Sequence, residues 1–109
     1  MDHPKWAAFD LQDVDRRRRE EGGDIWREFL RVSALRTGLY ALPTGSVDPQ
    51  TPHEEDEVYH VVRGKARFTA DGHDMAVGPG TVLYVAAHVE HRFHTIEEDL
   101  EILVVFAGR

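Results

Sequence analysis

The 109-residue chain contains no cysteine, which removes thiolate zinc sites, disulfide scaffolds and cysteine nucleophiles together. Any transition metal must therefore be held by imidazole and carboxylate. Of the seven histidines, five fall between His53 and His91, and His94 follows closely. Side chains two apart in a strand share a face, which groups Glu57 with Tyr59 and Val61 and sets Val58, His60 and Val62 on the other side. If Val61 faces the core, Glu57 points inward with it, and a carboxylate in a small apolar interior is costly without a positive partner. A metal is one such partner, and the short reach from His53 to Glu57 suits a clamp between loop and strand. On a later strand Phe93 belongs inside and takes His91 with it, leaving Arg92 and His94 outside. Two imidazoles and one carboxylate form a donor set suited to Fe(II), Mn(II), Ni(II) or Zn(II), with positions open for water or substrate.

The segment GSVDPQTPHEEDEVYHVVRG, residues 45–64, resembles the first conserved motif of the cupin superfamily. That motif runs Gly, five residues, His-x-His, three or four residues, Glu, six residues, Gly. Here Gly45 is followed by five residues, Thr51-Pro52-His53, three residues, Glu57, six residues and Gly64. The second cupin motif runs Gly, five residues, Pro-x-Gly, two residues, His, three residues, Asn. Counted from Gly80 it puts Ala86 at the Pro, His88 at the Gly, His91 at the His and Thr95 at the Asn, so only its first glycine and its histidine are kept. The resemblance extends over roughly residues 38–107 and rests on the first motif.

What the resemblance implies is an all-β, jelly-roll β-barrel (a double-stranded β-helix), commonly a homodimer, holding one divalent metal inside through His, His, Glu and His. Carried onto this chain, the ligands are His53, Glu57 and His91, and Thr51 stands where the first metal-binding histidine is expected. A threonine hydroxyl is a poor ligand. Either three protein ligands suffice, or Gln50 or another nearby group completes the set, or metal affinity is reduced. The remaining trio resembles the 2-His-1-carboxylate triad of non-haem iron oxygenases. Tyr59 and Phe93 are expected to line the cavity, and His60 and His94 to face outward. The leading functional reading is a metal-binding barrel that takes a small organic ligand, with dioxygenase or isomerase chemistry if it is an enzyme. The alternatives are a non-catalytic binding or sensing barrel with a weakened or absent metal site, and a scaffold working through a dimer surface.

The elements that must position these groups fall into an N-terminal segment, residues 1–23, and a barrel, residues 24–109. Asp10 is placed to cap a helix that stops at Gly22 and Gly23, with Leu11 and Val14 as its apolar anchors. Arg16 to Arg19 are flanked by Asp13, Asp15, Glu20 and Glu21, so that stretch carries no net charge. Asp13 with Arg17 and Asp15 with Arg19 fall at the spacing of helical ion pairs, which reads as a solvated face. Beyond Asp24 come eight short apolar runs: 25–32, 37–42, 57–63, 65–70, 73–77, 81–85, 90–96 and 100–107. Asp71-Gly72 is a two-residue hairpin signal, and the prolines and glycine of 43–52 mark a loop. Trp26, Phe29 and Leu30 read as an edge strand to be covered by a homodimer partner or by the barrel itself.

Thirteen basic residues against 20 acidic ones give a formal charge of −7, which argues against a nucleic-acid partner held by phosphate contacts. The acidic run Glu54-Glu55-Asp56 lacks the ligand density and turn glycine of a calcium loop and reads as a solvated segment. The N-terminus has no apolar secretory core and no run is long enough to span a membrane, so the expected location is the cytoplasm. His3 and His73 carry no signal.

Overall fold

A computed structural model describes residues 4–107, which leaves His3 outside the described part. One helix precedes six strands: α1 (Leu11–Glu20), β1 (Trp26–Arg31), β2 (Leu35–Leu42), β3 (Glu57–Ala70), β4 (His73–Val77), β5 (Val82–Val85) and β6 (His91–Ala107). All pairings are antiparallel, in the order β1-β2-β6-β3-β4 with β5 also on β3. The architecture is the all-β jelly-roll barrel with one short N-terminal helix that the sequence predicts.

Six strands stand where eight runs were expected, because two pairs of runs are continuous. Residues 57–63 and 65–70 form the single strand β3, and 90–96 and 100–107 join in β6. Gly64 has the sequence signature of a break, but with φ of +97° it bends the strand instead of ending it. Three register shifts in the β3–β6 ladder, between Val61 and Arg67, accompany that bend. The first half of β3 pairs with β5 and the last part of β6, and its second half pairs with β4 and the first part of β6. One long hairpin-like ladder thus belongs to both walls of the barrel.

Alternation within the strands builds the interior. Tyr59, Val61, Phe68, Phe93, Leu100, Ile102 and Val104 are buried together, while Val58 and His60 on the opposite parity are exposed. The Asp71-Gly72 turn adopts φ of +49° and +78°, the two positive values that a type I′ hairpin requires.

The Asp10 side chain accepts from the Gln12 N–H at 2.9 Å and so caps α1. The helix packs against β1 and β2 with Val14 buried. Its charged face is less solvated than the sequence implies. Asp15 is buried, with Arg18 at 2.9 Å and Arg19 at 3.1 Å satisfying its two oxygens. Aromatic side chains of the edge strand make contacts within the chain, Trp26 edge-on to Tyr40 and Phe106 and Phe29 to Phe9, although no residue of β1 is fully buried. Among the described residues no helix is long and apolar enough to cross a membrane.

Candidate functional site

Glu57 opens β3 and His91 opens β6, and the antiparallel register puts them at opposite ends of the ladder, Glu57 beside Phe106 and His91 beside Ala70. Thirteen residue steps at strand spacing amount to roughly 40 Å of contour. Yet His91 Nε2 and Glu57 Oε1 are 2.7 Å apart. The curvature of the barrel, rather than any local turn, brings the two groups face to face.

His53 joins them from the loop before β3, with Nε2 3.9 Å from Glu57 Oε2. The loop is anchored by the His88 N–H donating to the His53 carbonyl at 2.7 Å, and by the Ala87 N–H donating to the Asp56 carboxylate at 2.9 Å. The His53 ring packs edge-on against Phe106, with centroids 5.0 Å apart. One donor atom from each of His53, Glu57 and His91 lies within 4.8 Å of the others, a spacing that one ion bound to all three can satisfy.

The electrostatics of this group are unbalanced. Glu57 is 2% exposed, and its Oε2 is buried with no hydrogen-bond partner. A buried carboxylate oxygen left without a partner costs on the order of 1–3 kcal/mol or more. The donor set therefore fits a cation. The His91 ring is held in direction: Nδ1 donates to the Val89 carbonyl at 2.8 Å, which turns Nε2 toward Glu57. Burial opposes a charge on the His91 ring, but the Glu57 carboxylate, the Val89 carbonyl and the more distant Asp48 outweigh it and raise its pKa above the usual histidine value. Burial and then Glu57 push the Tyr59 phenol far above its ordinary range, so it remains protonated.

Tyr59 is buried beside the group and lines the cavity next to it; Phe93, expected to line that cavity as well, is buried in the core and is not among the residues around it. The Tyr59 hydroxyl lies 2.8 Å from His91 Nε2 and donates to Gln50 Oε1 at 2.8 Å, whereas Phe93 packs on Tyr59 and Phe68. Gln50 Oε1 is 3.2 Å from His91 Nε2. Thr51 is exposed, so of these two loop residues it is Gln50 that reaches the three candidate ligands. His94 lies on the opposite side of its strand, bonded to Asp74 and Thr69. Glu55 of the acidic run pairs with Arg36 at 2.9 Å. Asp48, which neither motif nor strand parity singles out, is buried and binds Gln50, Tyr40 and the Phe93 backbone. Its one sequence signal is the Asp-Pro-Gln order of a turn, in which the Asp side chain accepts from the N–H two residues on.

A cavity of about 220 Å³ opens beside His53, Gln50 and Tyr59, with Trp26, Tyr40, Val104 and Phe106 as its aromatic and aliphatic walls. At its rim the Arg36 guanidinium stacks 3.9 Å over the Phe106 ring and is held by Glu28 and Glu55.

Residues 38–106 match the Cupin domain family, well over half of the chain. The protein is a cupin. It is 45% identical over 100 residues to an uncharacterized protein of Streptomyces coelicolor, covering 92% of this chain and 94% of the relative. Among solved structures the cupin is similar to an RmlC-like cupin with a double-stranded β-helix fold from Methanocaldococcus jannaschii, with a TM-score of 0.69 and 20% identity over 77% of this chain and 79% of the other. The DMSP lyase DddQ from Ruegeria pomeroyi gives a TM-score of 0.69 at 22% identity; 81% of the cupin aligns, to 49% of the lyase. The chain thus spans about half of that enzyme, and both likenesses concern the fold.

His60 points away from the site, and a His60→Ala variant is expected to bind divalent ions within about twofold of the wild type. Titration of the metal-free variant beside the wild type checks this, and a larger loss would mean that the face assignment of β3 is reversed.

Proposed function

We propose that this cupin binds one divalent transition metal, Fe, Mn, Ni or Zn, through His53, Glu57 and His91, and a small organic ligand in the adjoining cavity. The observation that carries the reading is Glu57 Oε2, a buried carboxylate oxygen with no hydrogen-bond partner, in a group whose other members are two imidazoles. When bound, a metal at such a site supplies Lewis-acid polarisation or activation of oxygen, the chemistry of isomerases and dioxygenases. The chain's own residues shape the rest. Trp26, Tyr40 and Phe106 offer an apolar surface for the body of a ligand, and the cavity volume limits that body to a small molecule. Arg36 is engaged by Glu28 and Glu55, and Arg31 also pairs with Glu28, so two cations and two carboxylates balance at the cavity wall. Tyr59 holds its proton at the hydroxyl oxygen and can donate a hydrogen bond beside the ligand group.

The test is metal content. Protein purified without an affinity tag is expected to carry, or to take up on titration, about one divalent ion per chain, measured by elemental analysis and calorimetry. Protein that carries no stoichiometric ion and binds none of the four metals on titration would sink the reading.

A further inference from the structure

Asp48 lies in the loop ahead of the ligands, only 6% exposed. Four donors surround its carboxylate: the backbone N–H groups of Gln50 at 3.1 Å and Phe93 at 2.9 Å, Gln50 Nε2 at 2.6 Å, and the Tyr40 hydroxyl. Faced by donors alone, the carboxylate serves as acceptor throughout. That fixes the orientation of the Gln50 amide, because only its NH₂ can meet Asp48, and the carbonyl must face the other way. The other way is the ligand group: Gln50 Oε1 lies 3.2 Å from His91 Nε2 and accepts from the Tyr59 hydroxyl at 2.8 Å. The amide oxygen thus stands beside His91 Nε2 at a separation that two ligands of one ion can adopt, and its direction is set by a buried charge.

We propose that Gln50 Oε1 is a fourth ligand of the metal held by His53, Glu57 and His91, and that Asp48 is the positioning residue that keeps this oxygen turned toward the ion. The inference rests on the metal-binding reading above and deepens it. It accounts for a chain with threonine at position 51: the donor comes from the preceding residue, whose side chain reaches inward while Thr51 is exposed. An amide oxygen, a carboxylate and two imidazoles form a harder donor set than three imidazoles and a carboxylate. The site therefore favours Mn(II) or Fe(II), relative to soft ions, more than a three-histidine site would.

The experiment titrates metal-free full-length protein with Mn(II), and separately with Co(II) to read its visible absorption. Gln50→Ala is expected to weaken Mn(II) binding about tenfold or more and to change the Co(II) spectrum as one oxygen donor is lost. Asp48→Asn, which no longer dictates the amide direction, is expected to weaken it by about tenfold, the scale of groups that orient ligands. A purely structural role for Asp48 is distinguished by the double variant: with Gln50→Ala already present, Asp48→Asn should cost no further affinity. If the alanine variant fails to show the β-sheet circular dichroism of the wild type, Gln50→Leu keeps the bulk and removes the oxygen. Binding within twofold of wild type and an unchanged Co(II) spectrum in a folded Gln50 variant would overturn the fourth ligand while leaving the three-residue site standing. Additive losses in the double variant would overturn the role of Asp48. A wild-type protein that binds neither ion would overturn both this inference and the reading on which it rests.

Discussion

Glu57→Gln is expected to weaken divalent-metal binding by at least about 100-fold while the barrel remains folded. The substitution keeps the shape of the side chain and removes its charge. Groups that merely orient a ligand cost about 10- to 100-fold when lost, so removing a ligand's own charge should reach or pass the top of that range. Glu57 is also the one carboxylate in the candidate ligand set, and its Oε2 has no hydrogen bond to lose. The fold should tolerate the change, since glutamine at this position can still bond to His91. Calorimetric titration of the metal-free variant, with circular dichroism as the control, measures both effects. A dissociation constant within threefold of the wild type, in a folded variant, would remove Glu57 from the site.

The second large effect concerns stability. At Gly64, a Cβ would lie 2.3 Å from the Asp99 carbonyl oxygen and 2.8 Å from both the Asp99 carbonyl carbon and Leu100 Cα, all of them backbone atoms. No side-chain rotation can relieve these contacts, and φ of +97° is itself unfavourable for any residue with a side chain. Combining backbone strain with overpacking, Gly64→Ala is expected to cost about 3 kcal/mol or more, and to lower Tm by more than roughly 10 °C. Gly72 provides the contrast. It also has positive φ, but nothing lies within 4 Å of its hypothetical Cβ, and Gly72→Asn should cost under about 1 kcal/mol because asparagine tolerates this region. Urea unfolding of both variants decides the matter: a loss below 1 kcal/mol for Gly64→Ala would mean that the bend relaxes freely.

These two residues also show what the sequence could and could not disclose. Period-two alternation was enough to turn Glu57, Tyr59 and Val61 inward and His60 outward, because strand parity is a local property. The Asp71-Gly72 turn was legible for the same reason. Gly64 was legible as a special position and misread in its consequence, since a glycine that breaks a strand and one that bends it look alike until the partner strand is known. The meeting of Glu57 with His91 depends on barrel curvature, to which alternation is blind. In the loop before β3 there is no parity at all. Counting along a motif singles out position 51, while the side chain that reaches His91 belongs to Gln50 and is turned by Asp48 through contacts with Phe93 and Tyr40.

The ladder that carries Glu57 at one end and His91 at the other has a kinetic consequence. Glu57 and His91 come within reach of each other only when the roll of the sheet is complete, so an unclosed chain offers at most the local pair His53 and Glu57 and never the full set. Such distant pairings form slowly, and an ion that waits for them cannot act as a template for the search. It acts afterwards, binding the finished state, where all three groups meet, more tightly than the open chain and drawing the equilibrium toward it by mass action. Metal should accordingly leave the rate of refolding almost unchanged and slow unfolding, as expected for contacts absent from the transition state. Release of the ion would then report the moment at which the barrel opens.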